Sequence, residues 1–411
     1  MKQQIPGGIT APKGYSANGV YAGISKTPEL VAARKPDLAL LVSEPPAQAA
    51  GVFTTNLVKG HSLQRTARIL QAGAPVNAIV INSGNANACV GASGDQAADA
   101  LAATVAGELG CDPDSVLTGS TGIIGHALPI DRIATAVPAL CQDLESDVAG
   151  ASRAAEAILT TDTTKKEAAL TLKIDGHKVT VGGMAKGSGM IHPNMATMIG
   201  VVTTDCALAP GLLRDMLTAA VQKSFNRISV DGDTSVCDMV ILLANGAAGN
   251  PTITDPASES AILFQAALNE VCLSLAKLCV IDGEGATKLV NIIVEQAADD
   301  HDAYLAALAV ARSPLVKTAL FGQDPNWGRI LTAVGYSGAK FDPEQVDIHL
   351  GSILVCDHGQ ATGFDRQAAR EVLREKDVTL RIDLRAGAGR DEYWTCDFSF
   401  DYVRINAEYP T

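Results

Sequence analysis

The stretch KGSGMIHPNMATMIG, residues 186–200, is the most informative part of the chain. A loop rich in glycine and proline runs directly into the start of an apolar strand, and Ala196 and Thr197 stand at the junction. A threonine hydroxyl becomes an effective nucleophile when a base lies beside it, and a free α-amine on the same residue is such a base. Cleavage of the Ala196–Thr197 bond would produce that amine. The residues alone leave two interpretations open, a self-released nucleophile or an ordinary β-branched strand residue.

On both sides of this stretch, strand patterns alternate with helix patterns. The segments DLALLV (37–42) and NAIVIN (77–82) predict buried strands, and GDQAADALAATVAGELG (94–110) predicts a helix that ends at Gly110. Alternating residues around Asp175 and Gly176 predict a β-hairpin. The segment at 129–144 predicts a helix that is interrupted or kinked near Pro138.

After Thr197 the alternation continues to the C-terminus, where residues 377–387 and 392–409 both have strand-like patterns. The 411 residues contain no repeat with a period of 20 to 50 residues and no low-complexity linker. The sequence therefore predicts a mixed α/β fold that is layered rather than barrel-like. It does not predict the order of the strands.

Composition excludes several classes of function. The net charge of −13 argues against a nucleic-acid partner, which would require a concentrated basic surface. The apolar runs are far shorter than the ~20 residues of a membrane helix, and the N-terminus lacks an apolar signal core. Nine cysteines without a CxxC pair indicate reduced thiols and a cytoplasmic protein.

Several common catalytic motifs are missing from the sequence. It has no GxxxxGK[ST] phosphate loop and no GxSxG turn, and its seven histidines are dispersed, so we expect no metal site. Small polar residues and glycines instead cluster where strands are predicted to end, and ligand sites of layered α/β proteins gather at such positions. The clusters are NSGNANACVG (82–91), TGSTGIIG (118–125), ILTTDTTKK (158–166), SFNRISVDGDTS (224–235), DGEGATK (282–288) and GQDPNWGRI (322–330).

One of these clusters could stabilise an oxyanion during acyl transfer. In TGSTGIIG, the amide of Gly122 and the hydroxyl or amide of Thr121 could converge on one point. By local rules the same residues could equally be a helix N-cap, with Ser120 or Thr121 as the capping residue.

Taken together, the motifs resemble the ornithine acetyltransferase family, the glutamate N-acetyltransferases of arginine biosynthesis. The resemblance extends from residue 51 to the C-terminus, and its most specific parts are KGSGMIHPNMATM and DGEGATK. The other matching stretches are GVFTTN, NSGNANAC, STGIIG, TTDT, VDGDTS, LVKTALFGQDPNWGRI and RINAEYPT.

The resemblance implies a self-cleaving layered sandwich of the N-terminal-nucleophile type, a fold that is also used by a group of aminopeptidases. It implies cleavage between Ala196 and Thr197, which gives an α chain (1–196) and a β chain (197–411) that pair into an α₂β₂ heterotetramer. The activity implied is transfer of an acetyl group from N2-acetyl-L-ornithine to L-glutamate through an acetyl-threonine intermediate. No cofactor is implied, although acetyl-CoA is a donor for some members of the family.

The family's site residues fall on matching positions of this chain. Thr197 is the nucleophile, and Thr121 and Gly122 form the oxyanion hole. Lys186 and Glu284 are expected to hold the carboxylate and the ammonium of the substrate. Further contacts are implied for Thr160 or Thr161, between which the sequence does not choose, and for Asn406 and Thr411.

Two other interpretations stay open beside the transferase. The first is a self-processing amidohydrolase or aminopeptidase on the same fold, in which water rather than glutamate removes the acyl group. The second is a binding protein that keeps the fold and never cleaves itself. The chain also departs from the usual DGDTSTND motif of the family, because Val236 and Cys237 replace polar residues and could alter local packing or substrate fit.

Overall fold

A computed structural model describes residues 2–25, 32–192 and 198–408. Its strands are β1 Gln3–Gln4, β2 Tyr15–Val20, β3 Leu38–Phe53, β4 Val76–Asn82, β5 Val116–Ser120, β6 Lys166–Ile174, β7 His177–Lys186, β8 Ile199–Thr204, β9 Ile228–Ser229, β10 Met239–Ala244, β11 Leu289–Ala297, β12 Asp347–Leu350, β13 Ile353–Asp357, β14 Gln360–Ala361, β15 Asp377–Asp383 and β16 Gly389–Cys396. Its helices are α1 His61–Ala72, α2 Ala92–Leu109, α3 Ile130–Gln142, α4 Val148–Ala157, α5 Pro210–Gln222, α6 Glu259–Ile281, α7 Asp300–Arg312, α8 Pro314–Phe321, α9 Trp327–Gly335, α10 Arg366–Arg374 and α11 Phe400–Glu408.

The strands form two sheets. The first has nine strands in the order β1-β6-β7-β8-β10-β3-β4-β5, with β2 added beside β3. Strand β3 serves both halves of this sheet, because its first part pairs with β2 and β4 and its last part, residues 48–53, pairs with β10. The second sheet has seven strands in the order β14-β13-β12-β15-β11-β16-β9.

The two halves of the first sheet face each other across an inner core. Ile81 of β4 and Ile241 of β10 belong to this shared core, to which α1 and α4 also contribute. The adjacent residues on the same strands point to the opposite faces of the sheet. Val80 of β4 packs with α2 and α3, and Leu242 of β10 packs with α5 and α6. Successive strand residues point to opposite faces of a sheet, so this alternation produces four layers, helix–sheet–sheet–helix. The prediction of a layered fold is confirmed.

Helix α6 is the central helix of one outer layer. With 23 residues it is long enough and apolar enough to cross a membrane, judged by length and composition alone. Ten of them are buried in the same core as the apolar residues of β6, β7 and α5, among them Phe264, Leu268 and Leu275. This burial identifies α6 as a core helix, for which high apolarity is expected.

Most of the predicted elements are confirmed. Asp175 and Gly176 both have positive φ angles of 48° and 83°, as a two-residue hairpin turn requires, and Gly110 ends α2 in the left-handed conformation. The predicted interruption near Pro138 was wrong, because α3 continues through that residue, and the alternative of a kink there stays a prediction. The second half of segment 392–409 was also wrongly predicted as a strand, since it forms α11.

The strand ends that carry the predicted site meet at one end of the first sheet. Asn82 and Ser120, the last residues of β4 and β5, are paired in register. Lys186, the last residue of β7, is paired with Ile199, the first residue of β8. The two groups of strand ends are in contact, because Lys186 Nζ donates a hydrogen bond of 3.3 Å to Thr121 Oγ1.

Candidate active site

One cleft at these strand ends collects every predicted site residue that the structure describes. The cleft encloses about 1090 Å³ of empty space, part of it open to solvent, and its lining includes Thr121, Gly122, Thr160, Thr161, Lys186, Glu284 and Asn406. Ala196, Thr197 and Thr411 lie outside the described residues. The roles assigned to all of these residues stay predictions.

Thr121 and Gly122 follow directly after β5, and the backbone there is tightly constrained. Gly122 has a φ of +132°, and a Cβ atom on it would lie only 2.4 Å from the carbonyl carbon of Gly84, so no larger residue fits. The Thr121 amide donates to the Asn82 carbonyl at 3.0 Å. The two donors that this turn can offer a ligand are therefore the Thr121 hydroxyl and the Gly122 N–H.

The Lys186 side chain is buried beside that turn, with 2% of its surface exposed. An ammonium group can only donate hydrogen bonds, so its bond to Thr121 Oγ1 leaves the hydroxyl proton of Thr121 free to point into the cleft. A buried cation needs negative charge nearby, and Lys186 interacts electrostatically with two buried carboxylates, Asp162 and Asp238.

Asp162 fixes the loop that carries Thr160 and Thr161. Its carboxylate accepts hydrogen bonds from Lys166 Nζ at 2.6 Å, from the Gly187 amide at 2.7 Å and from the Thr160 amide at 3.1 Å. Burial alone would raise the pKa of Asp162, but Lys186 and Lys166 outweigh it and lower the pKa to about 2. The residue is therefore an anion under all ordinary conditions.

Thr160 and Thr161 differ in what their hydroxyl groups contact. The Thr161 hydroxyl pairs with the Ser188 hydroxyl at 2.7 Å. The Thr160 hydroxyl has no hydrogen-bond partner among residues 2–25, 32–192 and 198–408, and it faces the same cleft. Thr160 is therefore the better candidate for a direct substrate contact.

Glu284 lines the same cleft, with 6% of its surface exposed. Its amide donates to the Ser188 carbonyl at 2.8 Å, and its carboxylate accepts from Asn406 Nδ2 at 2.8 Å. Asn406 reaches this carboxylate from helix α11. The strand that the sequence predicted in this segment would have given the Asn406 side chain a different direction. Gly189 makes room for this carboxylate, since a Cβ atom there would lie 2.4 Å from the carboxyl carbon.

Two acidic residues that line the cleft, Asp231 and Asp233, were not predicted as site residues, although they stand in the VDGDTS stretch quoted above. The Asp231 carboxylate accepts from the amides of Met190 at 2.5 Å and Ile191 at 2.9 Å. Burial raises the pKa of Asp231 to about 6, with a further contribution from Asp233, although the backbone hydrogen bonds oppose it. The Asp-x-Asp pattern of these two residues was the signal in the sequence that could have identified them as site residues.

The backbone is anchored on both sides of the predicted cleavage site. The Ile191 carbonyl accepts from the Val230 amide at 2.8 Å. On the other side, the Met198 amide donates to Asp238 Oδ1 at 3.0 Å, and the Met198 carbonyl accepts from the Met239 amide at 3.1 Å. The chain therefore enters and leaves residues 193–197 at fixed points.

Val236 and Cys237, the departure from the family motif, line the cleft. They pack with Ala86 and Ala88 in a small apolar cluster, and Cys237 Sγ lies 3.4 Å from the Ala86 carbonyl oxygen. Burial raises the pKa of the Cys237 thiol, so the group is neutral and unreactive. The departure therefore makes this part of the wall apolar.

A possible metal-binding group lies away from the cleft. In the part of the chain that the structure describes, the ligand atoms of Asp347, Asp357 and His358 come within 4.8 Å of one another. The group belongs to the second sheet, and the Arg385 guanidinium forms an ion pair with Asp347. It has no connection to the predicted site residues.

Comparison with known proteins identifies close relatives over the whole chain. A model of the ArgJ family matches residues 16–411. An arginine biosynthesis bifunctional protein ArgJ of Symbiobacterium thermophilum is 50% identical over 407 residues, which cover 99% of each chain. A protein of the same name from Gloeobacter violaceus is 47% identical over 408 residues, 99% of this chain and 98% of the relative.

A solved structure supports the same relationship. The crystal structure of an arginine biosynthesis bifunctional protein from Bacillus halodurans is 44% identical and superimposes with a TM-score of 0.51. The match covers 52% of this chain and 100% of that one. The predicted fold class, a layered mixed α/β sandwich, is thereby confirmed.

Proposed function

The chain belongs to the ArgJ family, as its motifs predicted, and from this premise we propose that it transfers an acetyl group from N2-acetyl-L-ornithine to L-glutamate in arginine biosynthesis. The observation that carries the proposal is the single cleft that brings together Thr121, Gly122, Lys186 and Glu284. Two hydrogen-bond donors, a buried cation and a buried carboxylate are the groups that an acetylated amino acid with a second amine requires.

The proposed reaction begins with self-cleavage. The Thr197 hydroxyl attacks the Ala196 carbonyl carbon, and the peptide C–N bond breaks, which leaves an ester on the hydroxyl and frees the α-amine of Thr197. Water then hydrolyses the ester, which releases the Ala196 carboxylate and restores the Thr197 hydroxyl. This amine then serves as the base that the hydroxyl needs. Anchored backbone at Ile191 and Met198 favours cleavage, because it fixes both ends of the segment that has to distort.

Acetyl transfer then takes place in two steps. The Thr197 hydroxyl attacks the acetyl carbonyl of acetylornithine, its proton passes through the α-amine to the leaving nitrogen, and ornithine departs. The α-amine of glutamate attacks the resulting ester, and its proton returns to the Thr197 oxygen as N-acetylglutamate leaves. In both steps the Thr121 hydroxyl and the Gly122 N–H would stabilise the oxyanion, and one such donor is typically worth about 10²–10³ in rate.

The finer features of the function belong to the same proposal. We expect the two fragments to remain together in an α₂β₂ heterotetramer in the cytoplasm, where the nine free cysteines are consistent with reducing conditions. We expect the transfer to need no cofactor. We also expect acetyl-CoA to serve as a second acetyl donor, because the relatives carry the description bifunctional.

Intact-mass spectrometry and an activity assay test the proposal together. The wild-type protein should give two fragments, the second beginning at Thr197, and should form N-acetylglutamate from acetylornithine and glutamate. Thr197→Ala should stay intact at 42.5 kDa and be inactive, whereas Thr197→Ser, which keeps a hydroxyl, should cleave. Release of free acetate in place of N-acetylglutamate would favour the amidohydrolase interpretation. A wild-type chain that stays whole would reject the proposed mechanism.

A further inference from the structure

The charged side chains among the described lining residues are two lysines and four carboxylates. The lysines are Lys35 and Lys186, and each interacts electrostatically with the buried Asp162 and, as the causes of the Lys35 pKa shift show, with the other. Of the four lining carboxylates, Asp37 accepts hydrogen bonds from the amides of Ala22 and Ile24 at 2.6 Å, whereas the other three, Asp231, Asp233 and Glu284, all act on the ionisation of Tyr402, which also lines the cleft. The cleft therefore has a cationic side and an acidic side.

Lys35 is the unassigned member of the cationic side. It lies just before β3 and is half-buried. Its ammonium makes no hydrogen bond or salt bridge with residues 2–25, 32–192 or 198–408, whereas Lys186 donates to Thr121. Burial lowers the pKa of Lys35, and Lys186 and Lys166 add to that effect, although Asp162 and Glu156 oppose it. A partly desolvated ammonium that no described residue pairs with is an incomplete site for an anion.

The two substrates of the proposed reaction differ in the charge that their side chains carry. Acetylornithine has one carboxylate and a terminal ammonium, whereas glutamate has two carboxylates. Both must place the reacting nitrogen at the same nucleophile, so a shared carboxylate site at Lys186 suits both. The ammonium of the donor matches the acidic side of the cleft. The second carboxylate of glutamate would be repelled there and needs a cation.

We propose that the Lys35 ammonium binds the side-chain carboxylate of glutamate, and that this contact selects the acceptor of the second half-reaction. The inference rests on the proposed function, because it requires an acetyl-enzyme that glutamate deacylates. Lys186 and Glu284 then serve the donor, and Lys186 and Lys35 serve the acceptor. One cleft can in this way take an ammonium-ended and a carboxylate-ended amino acid in turn.

The experiment separates the two half-reactions in Lys35→Met, which keeps the length of the side chain, and in Lys35→Arg, which keeps the charge. The first half-reaction is followed as the burst of ornithine that acetylornithine releases, and the second as deacylation by glutamate or by glutamine. For Lys35→Met we expect a burst rate within about threefold of wild type and a KM for glutamate raised about 10–100-fold, the effect of losing one charge-assisted hydrogen bond. Lys35→Arg should recover most of the loss.

The preference for glutamate over glutamine as the acceptor distinguishes acceptor binding by Lys35 from a structural role, because a structural role would not change this preference. The wild type should prefer glutamate to glutamine, and Lys35→Met should lose most of that preference, because the amide carries no charge. Lys178→Met, an exposed lysine of the β6–β7 hairpin, controls for the loss of one positive charge and should leave the KM for glutamate unchanged.

Other outcomes would overturn the inference. If Lys35→Met keeps the glutamate preference, or loses both half-reactions equally, Lys35 does not select the acceptor. If Lys35→Met fails to fold or cleave, Lys35→Gln provides the same comparison with a polar side chain. A wild-type protein that gives no ornithine burst would instead reject the proposed function, which is a separate result from an unchanged preference.

Discussion

If Thr121 is an oxyanion donor, as proposed, the donor is its hydroxyl group rather than its backbone amide. The amide is committed to the Asn82 carbonyl, and the hydroxyl oxygen already accepts from Lys186. A hydroxyl that accepts from an ammonium group is a stronger donor through its own proton, because hydrogen bonds in a chain polarise one another. Lys186 can therefore strengthen the oxyanion hole as well as bind a carboxylate.

This arrangement predicts the effect of Thr121→Val, which removes the hydroxyl and keeps the shape of the side chain. We expect kcat to fall by about 10²–10³ with little change in KM, because the hydrogen bond is made to the transition state. Thr121→Ser, which keeps a hydroxyl, is the matched control and should retain most of the activity. Steady-state kinetics on fully cleaved enzyme measure both, and a Thr121→Val variant within threefold of wild-type kcat would contradict the assignment.

A second prediction concerns His192, just before the predicted cleavage segment. Burial, together with the nearby Arg312, lowers the pKa of His192 to about 4 from its usual 6.5. The unfolded chain therefore takes up this proton first, and the contribution to stability that is present above pH 6.5 is lost as the pH falls toward 4. Because part of the ring is open to solvent, we expect a change of about 1–2 kcal/mol rather than the roughly 3 kcal/mol of the full shift.

The test is denaturant unfolding of cleaved protein at several values of pH between 4 and 7. His192→Gln should flatten the dependence of the free energy of unfolding on pH over this range. His301→Gln removes an exposed histidine of α7 instead and controls for the substitution itself. Equal slopes for wild type and His192→Gln would show that His192 does not titrate as described.

Among the single residues of the cleft, the sequence identified those that belong to recognisable motifs and missed those that do not. Thr121, Lys186 and Glu284 stand in runs of glycine and small polar residues that mark loops. Lys35 stands in the ordinary stretch ARKPDL, and nothing local indicates that its side chain is half-buried in the cleft. Such a feature arises from contacts between distant segments, which a single sequence does not contain.

Among the elements, the C-terminal helix α11 was the main error of prediction, and its cause is local. Phe398, Phe400 and Tyr402 alternate with polar residues, which is the period of a strand. The overlooked signal was Ser399, whose hydroxyl accepts from the amides of Asp401 and Tyr402 in the manner of a helix N-cap. The helix matters for the site, since it directs Asn406 toward Glu284.

The loop between α4 and β6 depends on one buried ion pair, and Asp162→Asn tests it. The substitution leaves Lys166 paired with Asp282 at 2.6 Å but removes the anion that faces both Lys166 and Lys186. We expect a loss of about 3 kcal/mol in the free energy of unfolding at pH 7, since breaking a buried pair leaves an uncompensated charge. The KM for acetylornithine should also rise, because the loop positions Thr160.

Acid provides an independent check on the same pair. Since the pKa of Asp162 is lowered to about 2, its contribution to stability is fully present above about pH 4 and is lost as the pH falls through about 2. Denaturant unfolding at pH 7 and at pH 3 should therefore show the full deficit of Asp162→Asn at pH 7 and a smaller one at pH 3. A deficit that does not depend on pH would point to packing rather than charge.

For the whole molecule, the layered α/β class followed from the alternation of patterns, but the order of the strands did not. A period of two residues shows that a strand has two faces and says nothing about its neighbours. The structure inserts β8 and β10, from the C-terminal side of residue 197, between β7 and β3, from the N-terminal side. The predicted α and β chains therefore share one sheet rather than forming separate domains.

This interleaving predicts that cleavage does not release the fragments. Strands β7 and β8 are joined over six residue pairs, as are β10 and β3, and α6 packs its apolar face on β6 and β7. Separation would break two strand pairings, leave four strand edges open and expose core side chains at about 1.5–3 kcal/mol each. Cleaved protein should elute as one species under native conditions, resolve into two bands only after denaturation, and unfold in one transition within about 5 °C of uncut Thr197→Ala. Fragments that separate on a native column at micromolar concentration would contradict the continuity of the shared sheet.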